Sequence, residues 1–286
     1  MDLSTVTEFA PATDATWRDG DAWLGGGTYL FSAPQPHLTR LLDLSAFGWN
    51  PVAETADGVL VAATCTLAEL ARWEPGRRRY AGAAVLARQC CHALLGSFKV
   101  HNVATVGGNI CLSLPAGPMT SLASALDGIA LLRGPGPVSR GVPVAGFVTG
   151  DGRNTLRRGE LLTHIWLPAG PAGSQLAFRQ LSLSPLGRSA VLVIARRAPG
   201  GGAAGGATVV TVTAATPRPV QLRFAAPPAP SEALAALDSA LADGASADGA
   251  LADGAAPYLD DVHGSGLWRA AMTRRLVTEV LGDLSR

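Results

Sequence analysis

The segment His101–Cys111, HNVATVGGNIC, contains two adjacent glycines, Gly107 and Gly108, in a largely apolar stretch. Glycine inside a strand weakens it, and it usually marks a bend or the close approach of another backbone or of a ligand. A second glycine run lies earlier in the chain, in Ala22–Leu30, AWLGGGTYL. We therefore predict that both segments are loops that wrap one ligand.

The residues around the glycines indicate which chemistry that ligand has. Glycines let backbone N–H groups approach a ligand closely, and runs of such groups form concave anion sites. Thr28 and Thr105 add hydroxyl donors, and Asn109 adds an amide. This set predicts a pyrophosphate site that needs no lysine, although a tight turn is the alternative explanation for either glycine run taken alone.

Composition limits the class of protein. The 286 residues are enough for two domains or one large one, and 48% of them are apolar against 16% charged. A net charge of +1 gives no reason to expect a nucleic acid or a membrane surface as partner. The sequence shows neither a secretory signal nor an apolar run of about 20 residues that would span a membrane. We therefore expect a cytoplasmic protein.

The cysteines and histidines do not predict a metal centre. Iron–sulfur and zinc sites usually show a C-x₂-C or similar cluster, and the chain has none. We expect buried, reduced thiols and place any iron–sulfur chemistry on another chain. The cysteines are Cys65, Cys90, Cys91 and Cys111, and the scattered histidines are His37, His92, His101, His164 and His263.

Two kinds of organisation follow one another along the chain. Short strands alternate with helices up to a Pro/Gly-rich stretch at 168–173, and four longer strands with the spacing of an antiparallel sheet come next. Thr66 and Glu69 form a predicted capping box, and the helix that follows at 81–95 has Val85 and Leu86 on its predicted apolar side. Two helices close the chain, with a low-complexity surface loop predicted at 242–256 between them.

One motif is misleading. Residues 200–205, GGGAAG, fit the dinucleotide fingerprint G-x-G-x-x-G letter for letter. That fingerprint requires a helix directly after it, whereas the next residues, ATVVTVT, have the pattern of a strand. We predict a hairpin loop here and not a nucleotide site.

Several motifs resemble those of one family. GGGTYL at Gly25–Leu30 matches the family motif A-G-G-T-[DN]-L, and LGSFKVHNVATVGGN at Leu95–Asn109 matches I-G-S-x-Q-[IV]-R-N-x-[GA]-T-[IV]-G-G-N. Further matches follow in order at 125–136, 142–168 and 260–277. The chain thus resembles the FAD-binding subunit of the molybdenum hydroxylases, the xanthine dehydrogenase and carbon monoxide dehydrogenase family, over nearly its whole length.

The resemblance implies an α+β fold with two domains. Residues 1–170 would form an FAD-binding domain of the vanillyl-alcohol-oxidase (PCMH) type, with lobes at about 1–56 and 57–170. Residues 171–286 would form a smaller α+β domain of the carbon monoxide dehydrogenase flavoprotein type, with an antiparallel sheet and helices.

The resemblance also implies a function. The chain would pass electrons from iron–sulfur clusters on a partner, through FAD, to an external acceptor: NAD, a quinone, oxygen or a protein. A small [2Fe-2S] subunit and a large molybdopterin subunit would complete an (αβγ)₂ complex, and no side chain of this chain would act as a catalytic residue. The alternatives are an assembly subunit with weak or lost flavin chemistry and a stand-alone flavin oxidase.

The family motifs further assign cofactor-binding residues. Leu95 would approach the isoalloxazine, Leu162 the adenine side, and Arg179 would contact the cofactor. The sequence departs from the family pattern at Tyr29 and Pro118, where acids are usual, and at His101 and Arg188. The predicted FAD-binding residues are Gly25, Gly26, Gly27, Thr28, Tyr29, Leu30, Leu95, Thr105, Val106, Gly107, Gly108, Asn109, Leu162 and Arg179.

Overall fold

The structure, a computed structural model, describes residues 3–13, 15–136, 139–200, 205–247 and 257–286. The strands are β1 (Glu8–Pro11), β2 (Asp21–Leu24), β3 (Arg40–Asp43), β4 (Val52–Glu54), β5 (Gly58–Ala62), β6 (Ile129–Arg133), β7 (Ser139–Pro143), β8 (Val148–Gly150), β9 (Arg153–Asn154), β10 (Leu161–Pro168), β11 (Gln175–Leu181), β12 (Val191–Arg197), β13 (Thr208–Thr213) and β14 (Val220–Phe224). The α-helices are α1 (Leu67–Ala71), α2 (Ala81–Ala93), α3 (Phe98–His101), α4 (Val106–Leu112), α5 (Pro118–Ala125), α6 (Val144–Phe147), α7 (Ala169–Ala172), α8 (Pro230–Ala247) and α9 (Gly266–Leu284).

Three larger sheets organise the chain. The first is parallel, in the order β1-β3-β2, and the second is antiparallel, in the order β4-β5-β10-β6-β7. The third sheet, β11-β12-β13-β14, is antiparallel throughout. It consists of the four strands predicted after residue 173, so that prediction is confirmed.

The third sheet is covered on both faces. Successive side chains of a strand point to opposite faces, so Val191 and Val193 pack with α8 and α9, whereas Leu192 and Ile194 join the core that contains α2 and α5. Every residue of β13 is buried. The sheet therefore lies between two helical layers.

Polar contacts join α5 to this sheet. Ser121 Oγ lies 2.7 Å from Thr213 Oγ1, and Asp127, just after α5, forms ion pairs with Arg196 and Arg223. Burial by itself would raise the pKa of Asp127, but the Arg223 hydrogen bond and the charge of Arg196 outweigh it, so the pKa is lowered. Asp127 is therefore charged and ties the first part of the chain to the sheet.

Two local predictions had different outcomes. The capping box at α1 is confirmed: Thr66 Oγ1 accepts from the Glu69 N–H at 3.2 Å, and Glu69 Oε2 accepts from the Thr66 N–H at 2.8 Å. The predicted apolar side of α2 was wrong at Val85, whose side chain is 54% exposed. Leu86 of the predicted side is buried, and alanines at positions 83, 84 and 87, which carry little amphipathic signal, complete the buried face.

Two predicted loops fall partly outside the described residues. The strand β13 begins three residues after Gly205 and pairs antiparallel with β12, which confirms that no fingerprint helix follows this glycine run. Residues 201–204 of the run lie outside the described residues. Helix α8 continues to Ala247, so the loop predicted from residue 242 was wrong over 242–247. The remainder, 248–256, lies outside the described residues.

Within the described ranges, no helix has the length and apolarity needed to cross a bilayer.

Candidate functional site

The two glycine segments lie directly against each other. A Cβ atom on Gly26 would be 1.7 Å from the carbonyl oxygen of Val103, and one on Gly25 would be 3.0 Å from Thr105 Oγ1. Real Cβ atoms do not approach other atoms as closely as 1.7 Å, so only glycine fits at position 26. The absence of a side chain there brings the two segments together.

The second segment is helical, contrary to the prediction of a strand-like loop. Thr105 caps α4, accepting at Oγ1 from the Gly108 N–H at 3.1 Å, so Gly107 and Gly108 lie in the first helical turn. A Cβ on Gly107 would be 2.5 Å from the Cβ of Ala63, whereas one on Gly108 would meet only Thr105 Oγ1 within 4 Å. Gly107 thus serves the packing of α4 on the end of β5, and Gly108 lines the cleft, with Thr105 Oγ1 2.9 Å from where its Cβ would be.

A cleft of about 510 Å³ lies between the segments. This volume is within the usual range for small-molecule sites. Among the described residues that line it, none has a charged side chain. The lining residues are Trp23–Leu30, Ser32, Leu94, Leu95, Val100, Ala104, Thr105, Gly108, Asn109, Cys111, Leu112 and Leu114.

The two segments differ in their free hydrogen-bond donors. Within the described part of the chain, no hydrogen bond uses the backbone N–H groups of Gly25–Leu30 as donors. At the start of α4, by contrast, the N–H of Val106 donates to Cys65 O at 2.8 Å and that of Gly107 donates to Ala63 O at 2.9 Å. The first loop therefore has backbone donors that no described hydrogen bond uses, whereas the first two N–H groups of α4 are already used.

Most of the predicted site residues line this cleft, and four do not. Val106 and Gly107 are buried in the first turn of α4, and Leu162 is buried in β10 within the main core. Arg179 lies on β11 and lines a separate groove of about 690 Å³. The predicted residues that the cleft brings together are Gly25, Gly26, Gly27, Thr28, Tyr29, Leu30, Leu95, Thr105, Gly108 and Asn109.

Arg179 and Asn109 both have partners within the chain. The guanidinium of Arg179 lies 2.6 Å from Asp283 Oδ2 and 3.6 Å from Glu279 Oε2, both on α9. Asn109 Oδ1 accepts from the Met119 N–H at 3.0 Å and so satisfies a donor at the start of α5. Each side chain therefore has a structural contact in this state of the protein.

Trp23 and Cys111 line the cleft although the sequence did not indicate them. Trp23 lies two residues before the glycine loop, and Cys111 lies two residues after Asn109. Burial raises the pKa of the Cys111 thiol to about 12, so the thiol is neutral at physiological pH. The nearness of Trp23 to the glycine run in the sequence is the signal that could have predicted its place in the cleft.

The residues that depart from the family pattern differ in burial and in their distance from the cleft. Tyr29 lines the cleft and is 51% exposed, whereas Pro118 is the buried first residue of α5, where a missing N–H has no cost. His101 Nε2 lies 3.3 Å from the Leu94 carbonyl oxygen. Of these residues, only Tyr29 is among those that line the cleft.

Comparison with known proteins identifies the class of protein. Residues 5–170 match the family model described as the FAD binding domain in molybdopterin dehydrogenase. This match covers more than half of the chain, so the chain belongs to that family and carries an FAD-binding domain. The family resemblance read from the sequence is confirmed.

Solved structures share the fold over nearly the whole chain. Carbon monoxide dehydrogenase from Oligotropha carboxidovorans has a TM-score of 0.75 and 21% identity, covering 97% of this chain and 96% of that one. Quinoline 2-oxidoreductase from Pseudomonas putida 86 has a TM-score of 0.75 and 18% identity, covering 98% and 96%. Carbon monoxide dehydrogenase from Hydrogenophaga pseudoflava has a TM-score of 0.73 and 21% identity, covering 97% and 96%. A comparison with curated proteins found no match.

Proposed function

We propose that this chain is the flavoprotein subunit of a molybdenum-containing hydroxylase or dehydrogenase and that it holds FAD in the cleft between Gly25–Leu30 and α4. In this role it passes electrons from iron–sulfur clusters on a partner chain to an external acceptor. The observation that supports the proposal most is that no described hydrogen bond uses the N–H groups of Gly25–Leu30 as donors, in a loop that lines an uncharged cleft.

The donor set fits the pyrophosphate of FAD. A pyrophosphate carries negative charge, and convergent backbone N–H groups stabilise such charge without a lysine or arginine. The described lining has no carboxylate that would repel it. Gly108 leaves open space on the opposite wall, where a Cβ would reach only the Thr105 hydroxyl.

The protein positions the cofactor, and the redox chemistry belongs to the flavin. When bound, FAD accepts electrons and passes them on. Leu95, 62% exposed at the end of the cleft near α2, offers an apolar surface for the isoalloxazine. That end adjoins the C-terminal part of the chain, where Ser189 Oγ lies 3.4 Å from Ala93 O.

The domain arrangement and the partners are part of the proposal. Residues 1–56 and 57–170 would be the two lobes of a PCMH-type domain, and 171–286 the C-terminal domain. One of the matched structures is that of a Cu,Mo-containing carbon monoxide dehydrogenase. We assign molybdopterin and [2Fe-2S] clusters to partner chains of the present protein, in an (αβγ)₂ complex like those of the xanthine dehydrogenase family.

The test compares two glycine-to-aspartate variants of the purified protein. Gly108→Asp places a carboxylate beside the proposed pyrophosphate, and like-charge contacts of this kind cost several kcal/mol. We expect the Kd for FAD to rise at least about a hundredfold. The fold should persist apart from a disturbed Thr105 cap, because among the described residues only the Thr105 hydroxyl lies within 4 Å of the added Cβ.

Gly146→Asp is the matched control. Gly146 is exposed on α6, and a Cβ there meets no atom within 4 Å. This variant should bind FAD like the wild type. A wild-type protein that stays colourless with added FAD would favour the assembly alternative, and unchanged FAD binding in Gly108→Asp would locate the pyrophosphate elsewhere.

A further inference from the structure

Five exposed arginines lie on α1, on α2 and on the turn that joins these helices. Three are consecutive, Arg77–Arg79, in the turn; Arg72 directly follows α1, and Arg88 lies on α2. Arg88 Nε donates to the Ala71 carbonyl at 3.1 Å, so the Arg88 side chain reaches the end of α1. These five side chains form one surface, which we call the arginine patch.

The chain leaves the charge of the arginine patch unneutralised. Within the described ranges, none of the five guanidinium groups forms an ion pair, and neither does Glu74 of the same turn. Arg79 donates to the Ala56 carbonyl, a contact that leaves its charge in place. Arginines elsewhere in the chain do pair with carboxylates, as Arg140 does with Glu160 at 2.7 Å. Like charges that share a surface repel one another, so the patch needs an explanation other than the stability of this chain.

The carboxylate of Glu54 shapes the turn and pairs with no arginine side chain. Its Oε1 accepts from Trp73 Nε1 and from the Gly76 N–H, both at 3.0 Å, and its Oε2 accepts from the Arg77 N–H at 3.0 Å. Tyr80 is fully buried, and its hydroxyl donates to a backbone carbonyl between β4 and β5 at 3.0 Å. The turn is therefore fixed from both sides, and little backbone entropy remains to be lost when it binds a partner.

The surroundings of the arginines favour a protein as the binding partner. Single-stranded nucleic acids stack on exposed aromatic rings, and membrane surfaces take up exposed apolar side chains beside the basic ones. The aromatic side chains of the turn, Trp73 and Tyr80, are buried, and the net charge of the whole chain is only +1. Guanidinium groups form bidentate pairs with carboxylates, and arginine is enriched at protein interfaces.

We propose that the arginine patch docks an acidic surface of a partner subunit, an inference that rests on the flavoprotein role proposed above. Carboxylates of the partner pair with the guanidinium groups and neutralise the charge that this chain leaves unpaired. None of the five arginines is among the described residues that line the FAD cleft. Helix α2 has 13 residues and is about 20 Å long, and it separates the turn from Leu95. Partner docking and FAD binding can therefore be measured independently.

The experiment compares the wild type with Arg77→Glu/Arg78→Glu. The first measurement is the Kd of the purified chain for FAD, which should not change. The second is the Kd of the FAD-loaded chain for the co-expressed iron–sulfur and molybdopterin chains, followed by analytical ultracentrifugation. We expect this Kd to rise at least about tenfold in about 0.15 M NaCl. The difference should shrink in about 1 M NaCl, where the Debye length falls to about 3 Å.

Arg153→Glu/Arg286→Glu is the matched control, because it makes the same change in net charge at two exposed arginines outside the patch. It should bind the partner chains like the wild type. Arg77→Lys/Arg78→Lys keeps the charge of the patch and should retain most of the affinity.

Wild-type affinity for the partner chains in Arg77→Glu/Arg78→Glu would overturn the inference and leave the proposed function standing. A wild type that binds a DNA duplex or phosphatidylserine vesicles in about 0.15 M NaCl, with binding lost in the same variant, would also overturn it, because the patch would then serve another class of ligand. A wild type that forms no complex with the co-expressed chains would refute the proposed partnership together with the inference.

Discussion

At the scale of single residues, the glycines of the two motifs have different tasks. Gly26 allows the Val103 carbonyl to approach, Gly107 allows α4 to pack on Ala63, and Gly108 keeps one wall of the cleft open. Gly27, with φ of +68°, turns the loop so that the Phe31 N–H donates to its carbonyl at 2.8 Å. Sequence alone assigns all four glycines to ligand binding, yet Gly107 lies outside the cleft lining.

The glycine with the most severe contact gives the sharpest prediction at this scale. Gly26→Ala places a methyl group 1.7 Å from the Val103 carbonyl oxygen, so the two segments must separate. Overpacking of this kind costs about 1–3 kcal/mol. We expect a loss of that size in the free energy of unfolding, measured in urea, together with weaker FAD binding.

Gly146→Ala is the control for the alanine substitution, since its methyl group meets open space. It should leave both the free energy of unfolding and FAD affinity close to the wild-type values. Wild-type stability in Gly26→Ala would show that the loops do not pack as described.

At the scale of elements, the loop before β10 supports Trp23, one of the residues that line the cleft. Glu160 receives two hydrogen bonds from Arg140, at 2.9 Å to Oε1 and 2.7 Å to Oε2, and its carbonyl accepts from Trp23 Nε1. The Arg140 hydrogen bond lowers the pKa of Glu160 to about 2, although burial acts in the opposite direction. This ion pair therefore fixes the loop that holds the indole.

The depressed pKa of Glu160 predicts a pH dependence of stability. A carboxyl group with a lowered pKa in the folded state stabilises the protein above its unfolded pKa, and that contribution is lost as the pH falls through the folded value. We expect Glu160→Gln to lower the free energy of unfolding by about 2 kcal/mol at pH 7, after allowance for the partly exposed Arg140. The difference from wild type should shrink from about pH 4.5 and vanish near pH 2.

Asp19→Asn is the control for this series, because its pair with Arg158 is exposed at both side chains. It should change stability little at any pH. A wild-type advantage over Glu160→Gln that is as large at pH 2.5 as at pH 7 would contradict the proposed role of the ion pair.

At the scale of the whole molecule, a polar seam joins the cleft-bearing part of the chain to the C-terminal sheet. Asp127 lies between Arg196 and Arg223, and Gln221 Nε2 donates to the Ser124 carbonyl at 2.7 Å. Within the C-terminal part, Arg269 of α9 donates to the Ala190 and Ala214 carbonyls at the ends of β12 and β13. The contacts of Asp127 and Ser124 hold the β11–β14 sheet beside α5.

The prediction at this scale concerns partners. Co-expression with an iron–sulfur chain and a molybdopterin chain should yield a co-purifying complex whose flavin absorbance bleaches when the substrate of the large chain is added. The protein alone should turn over organic substrates negligibly, because the proposed electron source is on the partner. Efficient turnover by the isolated chain would instead support a stand-alone flavin oxidase.

The sequence by itself determined the features that depend on neighbouring residues. The capping box of α1, the strand that follows Gly205, the antiparallel strands after residue 173 and the family motifs at both glycine runs are all encoded within a few consecutive residues. Backbone propensity and side-chain alternation act over the same short distances, so these local features can be predicted from the sequence without a structure.

Only the tertiary structure decided which groups are free to bind. The N–H groups at the start of α4 are used by Cys65 and Ala63, Arg179 pairs with α9, and Trp23 is held by Glu160. Each of these partners is distant in sequence, and whether a donor or a ring is already satisfied depends on what the fold places beside it. The backbone N–H groups of Gly25–Leu30 stay unused within the described chain because the fold places no acceptor beside them, whereas the Trp23 N–H is already paired.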